Sequence, residues 1–156
     1  MKLINTIFFL IAISIVATSC NKNKIFEQRN DIAQLNWANT DVQTFEVKIP
    51  EGVAKYRLKA LVRYAKNCPI EGLLIHASII TPNGSNIEED GQIPIKLNGN
   101  NQGEGLGDLW DTETIIADNL ELQQAGLMKV SISHSMLRPK VPLIMKVGLL
   151  VEKVVN

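Results

Sequence analysis

From residue 44 onward, apolar and polar side chains alternate with a period of two. Phe45, Val47 and Ile49 interleave with Thr44, Glu46 and Lys48 before Pro50-Glu51-Gly52 ends the run. That period marks a strand with one buried face, because successive Cβ atoms point to opposite sides of a sheet. Tyr56, Leu58, Ala60, Val62 and Tyr64 make the core face of the next run, opposed by Arg57, Lys59 and Arg63. Residues 73–81 are apolar on nearly both faces, as in a central strand of a sandwich. They stop at Pro82-Asn83-Gly84, where proline presets a turn and Asn-Gly accepts positive φ. Ile93, Ile95 and Leu97 predict a short strand, and Pro94 confines it to a sheet edge because proline has no N–H for a second neighbour. Residues 130–134 and 143–154 read as two more strands, whereas 114–124 fit a strand or a short helix equally.

About seven short strands separated by turn signals, with almost no helical periodicity, predict an all-β chain folded as an antiparallel β-sandwich. A jelly-roll-like winding and an immunoglobulin-like one both fit, with the jelly roll preferred.

The first nineteen residues follow a different rule. Lys2 is followed by an apolar stretch, 3–16, interrupted only by Asn5, Thr6 and Ser14. As a helix it would rise about 21 Å, short of the roughly 30 Å hydrocarbon core, so it reads as a signal peptide and not as a span. Ala17-Thr18-Ser19-Cys20 then places small residues directly before a cysteine. The thiol of Cys20 is the one group here that accepts a diacylglyceryl thioether. The expected organisation is a lipoprotein signal peptide at 1–19, a lipidated tether at 20–36 and a β-sandwich domain at 37–156.

The chain has sixteen basic and sixteen acidic residues, and processing removes Lys2 and no acid, leaving one net negative charge. No basic stripe stands in the sequence to release counterions from phosphate, which excludes nucleic acid as a partner. Attachment to the membrane therefore falls to acyl chains, two or more of which give stable anchoring. With Cys20 acylated, Cys68 has no disulfide partner, and its place beside Pro69 after an apolar run suits a small buried side chain.

The loop Gly103-Glu104-Gly105-Leu106-Gly107-Asp108-Leu109-Trp110-Asp111 is the most distinctive segment. Its glycines lack the flanking strand and helix of a phosphate-binding turn. Asn98, Asn100, Asn101, Glu104, Asp108 and Asp111 offer oxygens to calcium, but not at EF-hand spacing. A loop that needs glycine for tight bends accounts for the pattern without a ligand, and neither a metal nor another cofactor is expected. His76 and His134 can be combined on paper with a serine and Asp90 or Asp111. No nucleophile elbow frames any serine, so no catalytic residue is assigned and both histidines are expected to be partly exposed. Tyr56 and Tyr64 fall on the core face, which leaves Trp37 and Trp110 as the possible ligand or partner surface. These two tryptophans motivate an alternative function, a carbohydrate-binding sandwich.

The order of features resembles a lipoprotein family of Bacteroidetes, GldH, over nearly the whole mature chain. It rests on Trp37, on DVQTFEVKI at 41–49, on Tyr56-Arg57-Leu58 and on Leu61-Val62-Arg63-Tyr64. TPNG at 81–84, GEGLGDLWD at 103–111, SMLRP at 135–139 and KVGLLVEK at 146–153 complete it. The usual tryptophan before the glycine-rich loop is replaced here by Ile95-Lys96-Leu97. What the resemblance implies is a non-enzymatic accessory or scaffolding lipoprotein of the gliding-motility and type IX secretion apparatus. Its implied partners are the membrane and other envelope proteins. Asn21-Lys22-Asn23-Lys24 lacks the acidic residues common after the cysteine of surface-exported lipoproteins, so the expected location is the outer membrane, facing the periplasm.

Overall fold

The computed structural model describes residues 23–155; the segment 1–19 read as a signal peptide, and Cys20, lie outside them. The strands are β1 (Lys24–Asp31), β2 (Asn36–Ala38), β3 (Gln43–Ile49), β4 (Ala54–Ala65), β5 (Gly72–Ile80), β6 (Asn86–Pro94), β7 (Lys96–Leu97), β8 (Asn100–Asn101), β9 (Glu104–Leu106), β10 (Leu109–Leu122), β11 (Gly126–His134), β12 (Lys140–Pro142) and β13 (Ile144–Val154). They form an antiparallel β-sandwich. One sheet runs β1-β13-β4-β10-β9 and the other β3-β11-β5-β6.

The long strands pair as outermost with outermost along the chain: β1 with β13, β3 with β11, β4 with β10, and β5 with β6. The chain is in effect one long hairpin, closed at the β5–β6 turn and rolled up so that successive pairs fall in alternate sheets. That is the jelly-roll winding. The β5–β6 turn is built as expected, with the Gly84 N–H donating to the Thr81 carbonyl at 2.8 Å and the Thr81 hydroxyl reaching Asn83 Oδ1 at 2.6 Å.

Between the sheets lies one core. Phe45, Val47 and Ile49 of β3 meet Leu58, Ala60 and Val62 of β4, together with Val147, Leu149 and Val151 of β13, all buried. Tyr56 and Tyr64 join them, as the alternation predicts. Burying such side chains contributes roughly 1.5–3 kcal/mol each before conformational entropy is charged against it.

Several expectations change. Residues 24–31, assigned to the tether, form β1, paired with β13 from Lys24↔Glu152 to Asp31↔Lys146. The folded part therefore starts at 24 and not at 37. Lys-Ile-Phe-Glu-Gln-Arg-Asn-Asp carries little alternation because an edge strand has one neighbour and its inner face is only half covered. Residues 114–124, undecided from sequence, belong mostly to β10, which shifts register between Ile115 and Leu120. Those bulges break the period of two. Pro94 does end an edge strand, β6, but Leu97 leaves that row and is exposed in β7. On β5 only one face is buried; Leu74 and Ile80 point outward to solvent.

Candidate functional site

Trp37 is not a surface platform. It is fully buried in β2, its indole N–H donating to the Asp41 carbonyl at 2.8 Å. His134, expected to be partly exposed, is buried against it, with ring centroids 5.2 Å apart in an edge-on arrangement. His134 Nε2 lies 3.0 Å from the Trp37 carbonyl. A carbonyl only accepts, so Nε2 is the nitrogen that donates to it. Burial pushes its pKa down, the hydrogen bond to Trp37 opposing this in part. The alternation of β11 places His134 on the inward row after Val130 and Ile132. That periodicity was the signal for burial, and the flanking serines obscured it.

Trp110 is half-buried at the start of β10, opposite Tyr64. One indole face lies on Gly105, where any Cβ would come within 2.7 Å of the ring. With its amide turned to satisfy both neighbours, Asn101 accepts the indole N–H at 3.1 Å and donates to the Lys66 carbonyl at 3.0 Å. The Tyr64 hydroxyl holds the same loop, meeting the Ile95 carbonyl at 2.7 Å and accepting the Gln102 N–H at 2.9 Å. The glycine-rich segment is thus a hairpin, β9–β10, clamped onto the end of the sheet.

Asp111 faces the other side of that sheet. It accepts from Arg29 Nη1 at 2.6 Å and, in a two-point grip, from Arg63 Nη2 at 2.7 Å and Nε at 3.0 Å. Burial opposes its ionisation, but the hydrogen bond from Arg63 and the charges of both guanidinia hold its carboxyl below the usual range. Arg29 reaches it from β1 because Gly148, its partner on β13, has no side chain; a Cβ there would sit 2.7 Å from Arg29 Cγ. Leu61 is buried beneath this bridge, beside a cavity of about 410 Å³ that Arg29, Glu104 and Asp111 also line. Asp111 is therefore engaged with cations of the protein itself. Among the described residues no three His, Cys, Asp or Glu side chains converge on a metal position.

On the outer face of the other sheet, Ser133, His76 and Asp90 are cross-strand neighbours in one row. Both imidazole nitrogens are taken, Nδ1 by Asp90 at 2.8 Å and Nε2 by Glu88 at 3.0 Å. The hydrogen bond to Asp90, then the charges of Asp90 and Glu88, raise the histidine's pKa. A general base needs a free lone pair within reach of its proton. His76 here is held between two carboxylates on an open sheet face. Cys68 is buried, with its Sγ 3.5 Å from the Pro142 carbonyl, and burial raises its pKa. It is a packing residue.

The two histidines, the whole complement of the chain, are expected to titrate on opposite sides of the ordinary value of about 6.5. His76 should titrate above it and His134 below, readable from their imidazole proton resonances. The unfolded chain then takes up a proton at position 134 that the folded one refuses, so acidification below about 6.5 costs stability there. His76 acts in the opposite sense, its stabilisation fully present in acid and lost as pH rises through its raised pKa. His76→Gln should therefore steepen the loss of stability on acidification. A higher midpoint for His134 than for His76 would contradict both environments.

Comparison with known proteins adds a family. The family model described as GldH lipoprotein matches residues 24–151, from the first residue of β1 into β13. The chain belongs to the GldH lipoprotein family. A relative in Christiangramia forsetii, described as a gliding motility lipoprotein GldH homolog, is 24% identical over 132 residues, covering 84% of this chain and 80% of its own. The gliding motility lipoprotein GldH of Flavobacterium johnsoniae is 29% identical over 84 residues, covering 54% of this chain and 52% of its own. Among solved structures, a family 61 carbohydrate-binding module in complex with β-1,4-galactotriose aligns over 83% of this chain and 88% of its own, with a TM-score of 0.34 and 12% identity. The VP2 particle of infectious bursal disease virus aligns over 84% of this chain and 33% of its own, with a TM-score of 0.34 and 14% identity. Likeness at that level carries no argument about ligand. The GldH family model includes β1, in agreement with a sandwich that begins before Trp37.

Proposed function

We propose that this GldH-family protein is a non-enzymatic, lipid-anchored component of the gliding-motility and type IX secretion apparatus, acting as an accessory or scaffold. The observation that carries the reading is the family match over 24–151, behind a cysteine placed as a lipobox requires. The side chains a hydrolase would need support it too: His76 is tied to two acids, His134 and Cys68 are buried, and Asp111 is held by two arginines. Trp110, half-exposed at the β9–β10 hairpin, is the tryptophan left for a partner.

The mechanism is local concentration. Acyl chains on Cys20 confine the domain to one membrane face, and a partner on the same face is then met as an almost intramolecular event. Residues 1–19 act as the signal peptide, and the domain works at the outer membrane on its periplasmic side. Among the described residues no helix is long and apolar enough to cross a membrane. Deleting the gene in its host and scoring colony spreading together with secretion of type IX substrates tests the reading. Loss of export, or of spreading in a host that glides, is expected; a deletion strain normal in both would refute it.

A further inference from the structure

The winding brings both ends of the described chain to the same end of the sandwich. The Asn23 carbonyl accepts the Lys153 N–H at 2.7 Å, and Lys24 stands opposite Glu152. The same end holds the β3–β4 turn at 50–53, the β5–β6 turn at 81–85 and the β10–β11 turn at 123–125, because each joins strands that begin or finish there. A Cβ on Gly126 would lie 3.1 Å from Pro82 Cβ, so the two turns adjoin.

Three Cα steps separate Cys20 from Asn23, so the lipid-bearing residue lies no more than about 11 Å from this end. A tether of seventeen residues would have left the domain free to turn; with β1 beginning at 24 it cannot move far. The surface held there suits a phospholipid interface. Val53 and Val155 are two-thirds exposed, at 68% and 67%, and Leu127 is also exposed. Around them stand the exposed lysines Lys24, Lys48, Lys55 and Lys153, interspersed with the acids Glu51, Glu121 and the less exposed Glu152. Lys24 is shared with Glu27 at 2.8 Å, so Lys48, Lys55 and Lys153 are the lysines offered to the bilayer. Lysine stems lie along apolar surface while their ammonium groups reach lipid phosphates. The sequence carries no basic run here; the fold assembles these lysines from four strands, β1, β3, β4 and β13.

Resting on Cys20 as the lipid anchor, we infer that the sandwich docks end-on against the bilayer through this end. Val53, Val155 and their lysines enter the head-group layer. The opposite end, with the exposed Leu106 and Leu137, then stands away from the membrane. β10 is fourteen residues long, and at about 3.3 Å per residue that end lies roughly 40 Å further out.

The test uses the full lipidated protein in vesicles of phosphatidylethanolamine and phosphatidylglycerol, with a nitroxide on the head group of a trace lipid. Single variants Val53→Cys, Val155→Cys, Leu106→Cys and Leu137→Cys carry a thiol-reactive fluorophore. Cys68 is buried and takes no label in the folded state, and acylated Cys20 has no free thiol. Quenching is expected to be several-fold stronger at 53 and 155 than at 106 and 137. Vesicles that float with the protein while all four positions quench alike, or in reverse order, overturn the orientation and leave the anchor intact. Protein that does not float with vesicles defeats the lipid-anchor reading, and the orientation with it.

Discussion

Cys20→Ser is expected to abolish incorporation of lipid and to move the protein from the membrane to the soluble fraction. The thioether is made at a thiol, and a serine hydroxyl gives no equivalent substrate. Among the described residues no helix is long and apolar enough to replace acyl chains, and single weak signals bind membranes only reversibly. Folding should be untouched, since the core lies wholly within residues 32–151. The measurement is metabolic labelling with a palmitate analogue together with fractionation, and circular dichroism on the purified variant. A variant that still sediments with membranes through residues 1–19 would mean that the segment is an uncleaved anchor and that Cys20 is not lipidated.

The second large effect lies at Trp37. Trp37→Ala is expected to destabilise the domain by about 3–5 kcal/mol, the range for truncating a fully buried aromatic side chain. Here the loss has three parts: the indole volume, its hydrogen bond to the Asp41 carbonyl, and the edge-on contact that lets His134 stay dry. Domains of this size are stable by only about 5–15 kcal/mol, so the variant should be close to unfolding at physiological temperature. Urea denaturation followed by Trp110 fluorescence measures it. A change below about 1 kcal/mol would be that of a surface tryptophan and would contradict the burial. A ligand-facing Trp37 would show the reverse pattern, with stability kept and binding lost.

The class of fold was legible because burial imposes a period of two on strands with one face in the core. Phe45-Val47-Ile49 obeys it without exception, and the Tyr56–Tyr64 strand is broken only at Leu61, buried on the outer face beneath the Arg29–Asp111 bridge. The same rule failed wherever a strand lacked a full set of neighbours or lost register. β1 has β13 on one side only, and β10 bulges at Ile115 and Ala117, so neither shows clean alternation. Among candidate sites, Cys68 was legible as a packing residue, while Trp37 was misplaced. An indole placed for stacking and one placed for packing look alike in sequence; only the pairing of β2 with β12 above the core decides.

Charge shows the same division. Composition determines a chain near neutrality, one sandwich-sized core and two cysteines, one of them directly after the apolar N-terminal segment. Where the charges meet is set by tertiary structure, because Arg29 and Asp111 are separated by 82 residues and are joined only across Gly148 and Leu61. The His76 clamp between Glu88 and Asp90 likewise exists only in the β5–β6 register. Local pattern determines which face of a strand is buried, since that depends on a residue's immediate neighbours. Which strands meet, and therefore that residues 24–31 belong to the sandwich, depends on pairing between the first strand and the last.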